Sequence, residues 1–155
     1  MNTQKPRFLD KQLIRNLTSH FPTPIYVYSE DILRTQAEQV QDFPCAFGFT
    51  PRYAMKANSN RTILRIFREM GIGIDASSEH EVFRAMRAGF TPQEIQLTGQ
   101  ELPKRLKEIV EMGVEFNATS LHQLTEYGKL FPETHASIRV NPGLGSGGTK
   151  RTNVG

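Results

Sequence analysis

Three side chains along this chain have the type and placement to do chemistry together. Lys56 closes the run Tyr53-Ala54-Met55-Lys56-Ala57-Asn58, directly after a short apolar stretch. A lysine at a strand end, in a polar cavity and beside other cations, gives up its ammonium proton more readily than one in water, and the free amine can attack a carbonyl to form an imine. Arg52 and Arg139 are the cations the sequence offers nearby. Asp75 ends the next such run, Gly73-Ile74-Asp75, where it could steer an ammonium or a ring substituent, although Ser77-Ser78-Glu79-His80 behind it also reads as plain helix capping. Arg139 stands between Ile138 and Val140, so an inward-pointing guanidinium there would suit an anionic cofactor or substrate, and an outward-pointing one would be an edge-strand charge.

Other chemistries find less support. His80, His122 and His135 lie on separate segments without ligand spacing, so no metal site is expected. Gly143, Gly145 and Gly148 satisfy G-x-G-x-x-G, but no helix visibly follows and Lys150 comes one place late for a phosphate-binding P-loop. A glycine-rich rim loop is the better reading of 141–150, and a nucleotide-binding open sheet the weaker one. Cys45 is the only cysteine, which excludes an intrachain disulfide and a cysteine-built zinc site and fits a reducing, cytoplasmic setting. A net charge of +3 with interspersed acids and bases gives no nucleic-acid footprint, and no stretch is apolar enough to span a membrane.

The elements that must position Lys56, Asp75 and Arg139 follow from periodicity. Apolar runs at 53–55, 72–74, 95–97, 114–116 and 138–140 recur about every twenty-odd residues, the spacing of one βα unit. Between them Ile63, Ile66, Phe67 and Met70 lie on one helical face, and Leu102, Leu106, Ile109 and Val110 nearly repeat the pattern. Gly71, Gly89 and Gly113 sit where helices should end, and Ser29, Ser78 and Ser120 where helices should begin. Pro24–Tyr28, reading PIYVY, predicts a further short strand. The 155 residues and 37% apolar content suit one globular domain. Parallel strands joined by helices build either an open doubly wound sheet or an eight-stranded barrel, and five strands leave that choice open.

Taken in order, PIYVY, YAMKAN, GIGIDASSEHEVFRA, IQLTGQ, EFNATS and SIRVNPGLGSGGTKRTNVG resemble the fold-type III pyridoxal-phosphate (PLP) decarboxylases of basic amino acids, over about Pro24 to Gly155. Within that family the NPGLGSG loop looks most like that of the diaminopimelate decarboxylases, with carboxynorspermidine-type and ornithine/arginine-type enzymes as neighbours. The resemblance implies an alanine-racemase-like (β/α)8 TIM barrel, of which about five of eight strands are present. It implies PLP as cofactor, Lys56 as the lysine that carries it, and Asp75 and Arg139 beside it. It further implies a small amino-acid substrate, decarboxylation of meso-diaminopimelate to lysine, and a homodimer. Residues 1–25 are then expected to pack on a C-terminal β-domain, with 26–155 as the first part of the barrel. The family's ring-stacking histidine, phosphate loop, pyridine-facing glutamate and β-domain do not occur before Gly155, so a fragment, inactive by itself, is expected. A racemase-like enzyme and a non-catalytic fragment that binds its full-length relative are the competing readings.

Overall fold

The computed structural model describes residues 8–141. The glycine-rich loop from Pro142 onward therefore lies outside the described residues. Two helices come first, α1 (Lys11–His20) and α2 (Glu30–Gln41). Asp10 and Ser29 cap them by accepting from the amides of Leu13 and Ile32. Five strands follow, β1 (Arg52–Ala54), β2 (Gly73–Ala76), β3 (Ile95–Leu97), β4 (Glu115–Ala118) and β5 (Ser137–Ile138). Helices α3 (Arg61–Glu69), α4 (Glu79–Ala88), α5 (Leu106–Glu111) and α6 (Leu121–Leu130) connect them. Among the described residues no helix is long and apolar enough to cross a membrane.

All five strands pair in parallel in the order β1-β2-β3-β4-β5. A doubly wound sheet reverses its strand order at a switch point, whereas a barrel adds each strand beside the last. The sequential order is that of a barrel, and the five-stranded partial barrel expected from the resemblance is what forms. Strand alternation sorts the residues: Ile74, Ala76, Ile95, Leu97, Phe116 and Ala118 are buried under the helices, and the residues between them face the concave side. Val82, Ala85, Leu106, Ile109 and Tyr127 complete the convex core from α4, α5 and α6. A second, smaller cluster joins Ala37 of α2 to Ile63 and Phe67 of α3.

The helix punctuation holds where backbone geometry demands it. Gly71, Gly89 and Gly113 take φ of +71°, +112° and +101° at the ends of α3, α4 and α5, a region costly for residues with a Cβ. Two expectations are corrected. Pro24–Tyr28 forms no strand, because among the described residues nothing pairs with it; Tyr26 is 92% exposed, and β-propensity without a ladder partner leaves the backbone unsatisfied. The third connecting helix starts at Leu106, not near Leu102, because Pro103 biases the residue before it away from helical geometry. Leu102 instead sits on a loop and packs its side chain against the convex core.

Candidate functional site

The C-terminal ends of the strands open onto a cleft of about 730 Å³ whose lining includes Lys56, Ser77, Thr98, Gly99, Gln100 and Arg139. Lys56 reaches it from a single 3-10 turn, Met55–Ala57, that follows β1 without a break. Met55 is fully buried on the convex side and anchors the turn, which leaves the Lys56 side chain exposed on the rim. The next residues are held as well. The Tyr53 hydroxyl donates to the carbonyl of Asn58 (3.2 Å), the Asn60 amide donates to Asn58 Oδ1 (2.9 Å), and Arg84 donates to Ser59 Oγ (2.6 Å). Burial pushes the Tyr53 phenol above its usual value, so it stays a donor, and its ring packs on Phe67 at 4.4 Å between centroids.

Asp75 lies on the concave face of β2, in register with Ala54 and Gln96. Its Oδ1 is buried and has no hydrogen-bond partner among the described residues. A buried carboxylate oxygen without a donor is costly unless a further group meets it. Arg139 follows β5 directly, its amide donating to the Ala118 carbonyl (2.8 Å), and its side chain lines the same cleft as Lys56. The sequence placed Arg139 inside the last strand; the strand ends one residue earlier, and the arginine is exposed at its rim. Lys56 and Arg139 thus share one cleft, and Asp75 sits on the concave wall one strand from β1.

Arg52 does not join them. It opens β1 at the other end of the sheet, where its guanidinium pairs with Glu115 at 2.7 Å and Gln96 donates to the same carboxylate at 2.9 Å. Of the two cations expected beside Lys56, only Arg139 shares its rim.

Several contributors escaped the sequence reading. Gln123, 1% exposed on α6, accepts from the Thr119 amide (2.8 Å) and donates to the carbonyls of Gly99 (2.9 Å) and Gln100 (3.1 Å). Thr119 Oγ1 donates to Gly99 as well (2.9 Å), so the loops after β3 and β4 are fastened together. Gly99 fits because a Cβ there would stand 2.8 Å from the Ser77 carbonyl oxygen, on the loop after β2. A polar ladder crosses the concave wall from Thr98 to Asn117 (3.4 Å) and from Asn117 to Ser137 (3.0 Å). Its signal was present in the strict alternation of polar Gln96, Thr98, Glu115 and Asn117 with apolar Ile95, Leu97, Phe116 and Ala118.

Residues 30–155 match the model of the pyridoxal-dependent decarboxylase family, pyridoxal binding domain. The chain belongs to that family. A diaminopimelate decarboxylase of Streptomyces coelicolor is 34% identical over 99% of this chain and 36% of its own length. A crystal structure of diaminopimelate decarboxylase superposes with a TM-score of 0.77 at 34% identity, over 88% of this chain and 32% of that one. A second, from Helicobacter pylori in complex with L-lysine, gives a TM-score of 0.71 at 28% identity, over 83% of this chain and 34% of the other. The chain therefore spans about a third of the length of these relatives. PLP is the cofactor this family implies, and the residues present suit it: an exposed amine on a fixed turn, a buried carboxylate oxygen without a donor, and a guanidinium on the same rim.

Proposed function

We propose that this chain is the PLP-binding part of an amino-acid decarboxylase that converts meso-diaminopimelate to lysine and CO2. The observation that carries the reading is the convergence of Lys56 and Arg139 on one cleft at the C-terminal ends of the strands, the face where barrel enzymes keep their sites. Lys56 Nζ is the nucleophile that holds the cofactor, positioned by the buried Met55 and by the pinned loop behind it. Arg139 contributes fixed positive charge for an anionic group of cofactor or substrate. Asp75 offers its free carboxylate oxygen to a cationic or N–H-bearing part of the bound group. When bound, PLP supplies a ring that accepts the electron pair left on the α-carbon as CO2 departs. The fastened loops after β3 and β4 keep the wall of the cleft in one geometry, which limits the reorganisation needed during reaction.

The diamino substrate is supported by the names of the relatives and by L-lysine in the Helicobacter pylori structure. The same reading carries a homodimer and a cytoplasmic setting. It also carries the division into residues 1–25, a segment that packs on a part of the enzyme beyond this chain, and residues 26–155 as barrel. α1 buries none of its residues, and Ile14 and Phe21 stand exposed, as a segment awaiting a covering surface would.

Because turnover is not expected of this chain by itself, the test is a substrate series on the PLP-loaded chain, read by the change in visible absorbance as the amine binds. The expected result is that meso-diaminopimelate changes the spectrum at lower concentration than ornithine or arginine. Equal responses to all three would remove the assigned substrate, and no spectral response to any of them would remove the reading of this rim as the amino-acid site.

A further inference from the structure

We propose that the groove between α3 and α4, on the outer wall of the barrel, is a second binding site, for a small ligand that carries a phosphate group. The groove encloses about 540 Å³ and is lined by Ser59, Asn60, Arg61, Arg84 and Arg87 over a floor of Leu64 and Ala88. Three arginines line it, and among the described residues none of the three is ion-paired. The carboxylates of the neighbouring helices and loops have other hydrogen-bond or ion-pair partners. Glu69 holds Arg34, Glu81 accepts from the Ser77 amide, Glu94 takes Arg68 and the Thr91 amide, and Glu79 accepts from the Arg105 amide. Like charges gathered without counter-charge repel, and a bound oxyanion relieves that repulsion while matching the planar fork of arginine.

The rest of the groove suits the same ligand. Arg84 already donates to Ser59 Oγ at 2.6 Å, which holds its guanidinium over the opening, and the first turn of α3 adds the positive end of its dipole. Leu64 and Ala88, both buried, give an apolar floor for the body of a phosphate ester. α3 connects the edge strand β1 to β2 and α4 connects β2 to β3, with α2 packed on the far side of α3, so both walls of the groove are helices of this chain. Ser59 is three residues beyond Lys56 on a pinned loop, so occupancy of the groove has a short path to the cofactor lysine.

The proposal stands apart from the cofactor reading and is tested separately. The full chain is titrated with inorganic pyrophosphate by calorimetry at constant ionic strength. The expected result is saturable one-site binding that weakens about tenfold for each arginine removed, in Arg84→Gln, Arg87→Gln and Arg61→Gln, and that Lys56→Ala leaves unchanged. Circular dichroism checks that each variant is folded, and the exposed Arg61 and Arg87, which hold no other element in place, provide the readout if Arg84→Gln disturbs the loop. Binding that survives all three arginine substitutions, heats that do not saturate, or affinity lost in Lys56→Ala would each overturn the proposal, the last by placing pyrophosphate in the cofactor cleft instead.

Discussion

The two faces of one sheet divide the work of this molecule. On the convex face, Ile74, Ile95 and Leu97 are fully buried against helices, and each contributes roughly 1.5–3 kcal/mol by leaving water. On the concave face the same two strands carry Asp75 and Gln96, with Thr98 just beyond β3, and polar groups there meet one another or, at Asp75 Oδ1, meet nothing described. A one-residue step along a strand moves from a residue that stabilises the fold to one placed for chemistry. The convex side can be changed only at the cost of the fold. The concave side holds unsatisfied groups that a packed core would not tolerate.

That division can be broken most severely from the convex side. Leu97→Ala leaves a cavity beneath α4 and α5 and should cost about 2–5 kcal/mol, read by urea denaturation. At the seam between the faces, Gln123→Leu strands the Thr119 amide and the Gln100 carbonyl and leaves the Gly99 carbonyl with the Thr119 hydroxyl alone, with an expected loss of about 1–3 kcal/mol in the same assay. On the concave face the sign should turn: Asp75→Asn replaces a half-buried carboxyl whose Oδ1 has no described partner and should leave stability within about 1 kcal/mol of wild type, or raise it, while weakening PLP capture. A loss as large as that of Leu97→Ala would mean that Asp75 belongs to the structural side.

The smallest effect lies on the helix surfaces. Hydrogen bonds from Lys129 to Glu126 and from Arg105 to Glu108 hold both carboxyls below their usual range. A depressed carboxyl contributes stability that is fully present above its unfolded-state value and is lost as pH falls through the folded one. Both pairs are exposed and screened, so Glu126→Gln should flatten the acid side of the stability profile only slightly, measured by thermal unfolding across acidic pH.

The sequence was most readable where a residue's neighbours are local. Caps at Ser29, Ser78 and Ser120 and the positive-φ glycines follow from interactions a few residues apart, and the five strands from an apolar run that recurs every twenty-odd residues. Lys56 was readable because its strand and turn are contiguous. Pro24–Tyr28 failed because strand formation depends on a partner that propensity does not report. Arg52 failed because Glu115, sixty-three residues away, decides which end of the sheet it serves. Gln123 was invisible for the same reason, since its hydrogen bonds reach twenty-three and twenty-four residues back along the chain.

The central claim is that the concave rim, through Lys56, holds the cofactor. Borohydride reduction of the PLP-treated chain, followed by mass spectrometry of its peptides, tests this most directly. The account predicts one stoichiometric label at Lys56 that is absent in Lys56→Ala. Labels spread over surface lysines away from the cleft, such as Lys11, Lys107 and Lys129, or an unchanged yield in Lys56→Ala, would contradict it.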